Sequence, residues 1–318
     1  MAKKYLFELD VNALNANHVV NPQEFFSKAL LGDRSTSYFR PFLNVNSKIK
    51  VGSLEFDDVI QAAGCTFSAT DATLDAKAME PCKLALGVEL CQLDLQNSFV
   101  AEYMKGSNTI DFANTQGLIP EFMAHYYERL GAKLNDNLER LTWQGDSSLT
   151  GATYLKECDG LEKLLAAGVT GSTDLSGSSA ASAVSTVITE MTRVYNAIPT
   201  QLDKSKVVIF AASGIVNAFK VATANASAEL FVNRVPSLNF IDVKIVEAKG
   251  MSANKMVATL ESNLIFMTDI ISPASELITI NMKTTTGDRK IRTISDFTFG
   301  VDFVNGSATG NEIVTYNF

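Results

Sequence analysis

Apolar positions along the chain follow two periods, and the change from one to the other marks its parts. From Leu84 to Leu90 every second residue is apolar (Leu84, Leu86, Val88, Leu90), set opposite Lys83, Ala85, Gly87 and Glu89. That period of two predicts a half-buried strand. Upstream, Ile49 and Val51 alternate with Lys48 and Lys50, and Leu54 and Phe56 continue the run past Gly52-Ser53. The small, polar stretch AAGCTFSATDATLDAKAMEP separates the two runs. An outgoing strand, a polar tip and a returning strand predict a long hairpin. A two-stranded hairpin is marginal in water by itself, so it must lie on its own domain or be covered by a neighbouring molecule.

From Pro120 the period becomes helical. Phe122, Tyr126, Leu130, Leu134, Leu138 and Leu141 recur at spacings of three and four and form one stripe, expected to pack on the chain's own strands. Pro120 suits the first helical position and Gly145 ends the run. Pro120 to Trp143 would span about 36 Å at ~1.5 Å per residue. Shorter helices are expected over NPQEFFSKALLG, where Asn21 caps, Pro22 follows and Gly32 terminates, and over Asp94 to Met104. Beyond the long helix come YLKECDGLEKLLAAG and the Gly/Ser/Thr-rich GVTGSTDLSGSSA. A helix follows with Val184, Val187, Ile188, Met191, Val194, Tyr195 and Ile198 on one face, stopped by Pro199. Val207 to Ala211 reads as a buried strand, Ser213 caps another helix, and Val243 to Val246 and Met256 to Leu260 read as strands. The last part alternates again through Phe297, Phe299, Val301 and Phe303, then Val314, Tyr316 and Phe318, which predicts a C-terminus tied into a sheet. The fold class is α+β.

Composition narrows the function. The 318 residues are 46% hydrophobic and 19% charged, enough for a packed core. The formal charge of −8, with no basic cluster beyond Lys3-Lys4, argues against a surface specialised to grip nucleic acid. No apolar run is long enough to cross a membrane as a helix, and the start, with Glu8 and Asp10, lacks the apolar core of a secretory signal. The four cysteines, Cys65, Cys82, Cys91 and Cys158, include no CxxC, and the only histidines are His18 and His125, so no zinc pattern is present. Cys82 and Cys91 share one strand and stand roughly 30 Å apart, far beyond disulfide reach. Reduced thiols are therefore expected.

No catalytic constellation emerges. The loop Gly168 to Gly177 has neither GxxxxGK[ST] nor GxGxxG, and there is no GxSxG elbow. His125 sits mid-helix, and the acid pairs Asp57-Asp58 and Asp136/Glu139 read as solvated faces. No catalytic, cofactor-binding or metal-binding residue is expected.

The order of parts resembles the major capsid proteins of tailed double-stranded DNA phages, the Hong Kong 97 type fold. EPCKLALGVELCQLDLQNSFVAEYM is similar to that family's returning hairpin strand and short helix. IPEFMAHYYERLGAKLNDNLERLTWQGD is similar to its spine helix, which ends in an aromatic-x-Gly, and CDGLEKLL to its Asp-Gly-Leu step into the axial domain. FIDVKIVEAKGMSANKMVATLESNLIFMTDI is similar to the strand, loop and strand that return from that domain.

The resemblance implies an N-terminal arm (1–40), an extended hairpin loop (41–84), a peripheral domain with the spine helix (85–159 and 273–318) and an axial domain (160–272). It implies self-assembly into an icosahedral shell of pentamers and hexamers in the virion, built in the bacterial host cytoplasm around packaged double-stranded DNA, without sequence-specific binding and without a membrane. Lys48, Lys50, Phe56, Lys77 and Glu80 are the expected intersubunit contacts. Because only residues 1–40 precede the hairpin, a separate scaffolding protein is expected, with a portal and decoration or head–tail proteins as further partners. A lysine–asparagine cross-link, known in one member, would need a pair from Lys48, Lys50 or Lys77 and Asn305, Asn311 or Asn317, and no motif selects one. The alternatives are an encapsulin-type nanocompartment shell and, more distantly, an α/β enzyme using a cleft near Ser213.

Overall fold

The computed structural model describes residues 17–19, 35–56, 72–91, 120–151, 153–166, 173–175, 181–200, 202–226, 239–269, 277–282, 286–288, 290–304 and 313–318. The helices expected over NPQEFFSKALLG and Asp94 to Met104, and the hairpin tip with Cys65 and Asp57-Asp58, lie outside these residues. The chain divides into two compact units, each continuous in space but not in sequence.

One unit contains the described parts of Met1–Gly32, Lys83–Leu138 and Asp269–Thr298. Here β1 (Asn17–Val19) pairs antiparallel with β12 (Ile278–Asn281), which pairs antiparallel with the first part of β13 (Lys290–Phe303). The strand expected at Leu84 to Leu90 is β5 (Cys82–Cys91), which also pairs β13, and its burial alternates residue by residue as the period of two requires. The long helix α1 (Pro120–Gln144) starts at the predicted proline. Two adjacent tyrosines dock its first half. The Tyr127 hydroxyl is 2.7 Å from Thr279 Oγ1, that of Tyr126 donates to Thr293 Oγ1 at 3.0 Å, and the two threonines are hydrogen-bonded at 2.9 Å. Burial pushes the Tyr127 phenol up to about 12, so it keeps its proton and remains a hydrogen-bonding group.

The second unit contains the described parts of Asp33–Cys82, Glu139–Thr268 and Phe299–Phe318. The end of β13 pairs antiparallel with β11 (Leu264–Thr268), which runs parallel to β2 (Arg40–Leu43). The hairpin consists of β3 (Ile49–Phe56) and β4 (Ala72–Met79), paired from Ile49↔Met79 to Phe56↔Ala72. This corrects the expected pairing, because the returning strand is ATLDAKAM, read from sequence as part of the polar tip for want of strongly apolar alternation, and the strand at Leu84 to Leu90 pairs β13 instead. A further sheet has the order β6 (Thr173–Leu175), β14 (Ile313–Tyr316), β10 (Met256–Leu260), β7 (Val207–Ala212), β9 (Val243–Ala248), β8 (Asn239–Phe240). Strands β7 and β9 are parallel, with the intervening helix α4 (Ser213–Ala226) packed against both. All six residues of β7 are buried, as an uninterrupted apolar run requires of a central strand. The stretch 273–318, grouped together from sequence, is divided, because its last strand β14 lies between β10 and β6.

Two shorter α-helices are α2 (Leu161–Ala166) and α3 (Val187–Ala197). On α3 the sequence stripe is too wide. Val187, Met191, Val194 and Ile198 are buried, whereas Val184 and Ile188 are exposed. A hydrophobic period marks which residues can be covered and does not set how much of a helix its neighbours cover.

The thiol expectation is corrected. Cys82 and Cys91 do share β5, but Cys82 is disulfide-bonded to Cys158, 76 residues away, with a Cα–Cα distance of 5.8 Å. Cys91 is free. The partner arrives from the turn after α1, a tertiary neighbour that spacing along one strand cannot reveal. Closing a loop of 76 residues constrains the unfolded chain by about 4–5 kcal/mol in the chain-entropy picture.

Candidate functional site

The hairpin is rooted in its own chain. Val45, Met79, Ile265 and Met267 form a buried cluster, and Ile49 and Val51 of β3 pack on it with Phe42 and Val304. Lys77 on β4 turns inward, where its ammonium pairs with Asp302, donates to the Phe303 carbonyl at 3.1 Å and stands 3.4 Å from the centre of the Phe303 ring. A carboxylate, a carbonyl and an aromatic face together satisfy a cation that is two-thirds buried. Next in sequence, Pro81 packs against Gly300, where an added Cβ would lie 3.0 Å from Pro81 Cα.

Just past the root, the end of α1 forms a backbone knot. Gly160 donates its N–H to the Gly145 carbonyl at 2.8 Å, and Asp146 donates to Leu155 O at 2.8 Å. Lys163 reaches Asp146 at 2.8 Å and Asp159 at 2.7 Å. Hydrogen bonds from Lys163, then Ser148, lower the Asp146 carboxyl from its ordinary 3.8 to about 2. Partial burial raises the Asp159 carboxyl, but hydrogen bonds from Lys163 and Ser147 outweigh that and leave it lowered. Inside the knot, Trp143 is fully buried, and its ring centroid lies 6.1 Å from that of Phe39 and 5.7 Å from that of Phe210. Its Nε1–H donates to Ser35 Oγ at 2.9 Å, which donates to Glu139 Oε1 at 2.7 Å. The pair Asp136/Glu139 is therefore not one solvated face. Asp136 is exposed and Glu139 is buried.

The structure places the residues singled out from sequence as follows. Lys48, Lys50 and Glu80 are exposed around the hairpin root, and Lys77 is engaged within its own chain. On α1, Leu134, Leu138 and Leu141 are buried, and Tyr126 and Leu130 are half-buried. The Phe56 and Phe122 side chains lie outside the described residues. The stripe missed Tyr127 and Trp143, both buried. The signal was present, because Tyr127, Leu134, Leu138 and Leu141 keep heptad spacing, whereas Tyr126 and Leu130 drift off the buried line. His125 is exposed, 3.8 Å from Glu128 on the same helix face. Among the described residues no three His, Cys, Asp or Glu side chains gather as metal ligands would, and no helix is long and apolar enough to cross a membrane.

No protein-family model matches the chain, and no curated protein matches its sequence. Solved structures do match in fold. The capsid of the empty GTA particle, computed with C5 symmetry, aligns with a TM-score of 0.55 at 11% identity, covering 90% of this chain and 89% of that one. A chain from Gordonia phage Cozz aligns at 0.55 and 11% identity, over 89% and 86% respectively. The satellite phage P4 procapsid, which includes the size determination (Sid) protein, aligns at 0.52 and 10% identity, over 93% and 99%. The chain is thus an α+β protein with the fold of phage capsid chains.

Proposed function

We propose that this chain is a structural shell protein, the major capsid subunit of a tailed phage with the Hong Kong 97 type arrangement. The observation that carries the reading is the fold shared with phage capsid chains over about nine-tenths of both partners. In this reading the hairpin is the arm laid over a neighbouring subunit, α1 is the spine of the peripheral domain, and the sheet built on β7, β10 and β14 belongs to the axial part at the centre of pentamers and hexamers. Lys48, Lys50, Phe56 and Glu80 would meet the neighbour, while Lys77 anchors the root from which the arm extends. The mechanism is geometric. Contacts that are modest singly accumulate around a closed symmetric shell, so a rigidly rooted arm matters more than any one pair. The acidic balance keeps the shell from adhering to the double-stranded DNA it encloses. Scaffold, portal and head–tail proteins would be its partners in the host cytoplasm.

Sedimentation velocity of the expressed chain, alone and with its scaffold, tests this directly. Particles of megadalton mass are expected. A monomer that persists at high concentration under both conditions overturns the reading. Particles that enclose a protein cargo in place of DNA would identify the nanocompartment version of the same shell.

A further inference from the structure

The bond between Cys82 and Cys158 joins the hairpin root to the knot at the end of α1. First, each side of the bond has contacts of its own. The root is held by the cluster around Met79 and by Lys77, and the knot by the Gly145–Gly160 hydrogen bond. Second, an acceptor stands beside Cys158. Cys158 Sγ lies 3.6 Å from the Phe299 carbonyl oxygen, so a free thiol there has an acceptor waiting. Third, the two sulfurs differ in access, since Cys82 is half-buried and Cys158 is buried.

We propose that Cys82–Cys158 is a conditional cross-link, kept as two thiols in a reducing cytoplasm and closed when the protein meets an oxidising medium, where it locks the hairpin root to the end of the spine helix. The oxidant is a low-molecular-weight disulfide. Attack by the more accessible Cys82 thiolate on one of its sulfurs forms a mixed disulfide and releases one small thiolate. Attack by the Cys158 thiolate on the Cys82 sulfur then forms the protein bond and releases the second. The two protein thiol protons end on the two small thiols, and the two electrons end in the reduced small molecule. The bond chemistry stands on the subunit alone; only its timing, closure after the particle leaves the cell, rests on the shell reading.

Cells expressing the full chain are lysed into guanidinium chloride with excess iodoacetamide, so that buried thiols are also reached. The same denaturing label is used throughout, and the labels per chain are counted by intact mass. Four labels are expected, one for each cysteine. The purified native protein is then held with oxidised glutathione before labelling. Two fewer labels are expected, together with a disulfide-linked peptide pair containing Cys82 and Cys158. The melting temperature of the oxidised protein should exceed that of the same protein in dithiothreitol by about 5–10 °C, and a Cys82→Ala/Cys158→Ala variant should lose that difference. The comparison of wild type with and without reductant needs no variant to fold. A lysate already two labels short means the bond is obligate and overturns the proposal. So does an oxidant-treated native protein, with Trp143 emission still that of a buried indole, that retains all four labels. Sedimentation of the same samples separates the two claims, because missing shells with the expected label counts overturn the shell reading and leave the cross-link standing.

Discussion

Gly160 donates its backbone N–H to the carbonyl of Gly145 at 2.8 Å, and neither residue has room for a side chain. A Cβ on Gly160 would stand 2.6 Å from Gly145 N and 2.7 Å from Leu141 O, and one on Gly145 would collide with the Cys158 carbonyl. These are the glycines of the aromatic-x-Gly and Asp-Gly-Leu steps, so two short motifs that looked independent in sequence are the two halves of one contact. Gly160→Ala should cost about 3 kcal/mol, at the upper end of overpacking penalties, because the obstructing atoms are backbone and cannot rotate away. Gly87→Ala, on β5 with nothing within 4 Å of its Cβ, should stay within about 0.5 kcal/mol of wild type. Denaturant unfolding followed by Trp143, the single tryptophan, measures both.

The chain from Trp143 through Ser35 to Glu139 ties the short turn Ser35–Tyr38 to α1. Ser35→Ala removes the acceptor of a buried indole N–H and a donor to a buried carboxyl. A loss of about 1–3 kcal/mol is expected in the same unfolding experiment. Trp143→Phe removes the indole donor but leaves Ser35 bonded to Glu139, so it should lose less from this network, though it also loses packing against Phe39 and Phe210.

Leu134 lies on the buried line of α1. Leu134→Ala should lower stability by about 2–5 kcal/mol. Leu134→Asp adds an unpaired buried charge and should abolish folding and assembly together, read as insoluble protein or as exposed-indole emission. A soluble, assembly-competent Leu134→Asp protein would show that the stripe is misassigned.

Acid should loosen the knot in a defined window. The Asp146 and Asp159 carboxyls are lowered in the folded protein by Lys163, so their ion pairs contribute fully above the ordinary carboxylate value of 3.8. That contribution falls as the pH drops through the folded-state value, about 2 for Asp146. Between about pH 5 and pH 2 the melting temperature of wild type should therefore decline more steeply than that of Lys163→Met, in which only the Ser147 and Ser148 hydrogen bonds still hold the carboxyls down. Parallel curves would mean that this cluster contributes no pH-dependent stability.

Local period carried much of the fold into view, and closure in three dimensions carried the rest. The strand at Leu84 to Leu90, the helix from Pro120 and the buried run at Val207 to Ala211 were readable because side-chain alternation is written directly in the residue order. The Cys82–Cys158 bond was not readable, because it depends on where the chain stands after a long helix and a turn. Glu139 looked like half of a solvated acid pair because its hydrogen-bond partner Ser35 lies 104 residues upstream. Lys77 looked free to reach a neighbour because Asp302 and Phe303 come from the far end of the chain. For the candidate site, only the outgoing strand of the hairpin was legible; its returning strand β4 alternates small and polar residues and passed for the tip, and the groups that anchor its root were visible only in the structure.

The central claim is that this fold builds a closed shell. Negative-stain electron microscopy of the full-length protein, expressed with its scaffold, tests that most directly. Uniform round particles whose capsomers average to five- and six-fold symmetry are the expected result. Fields containing only monomers or shapeless aggregate, from protein whose Trp143 emission shows it to be folded, would contradict it.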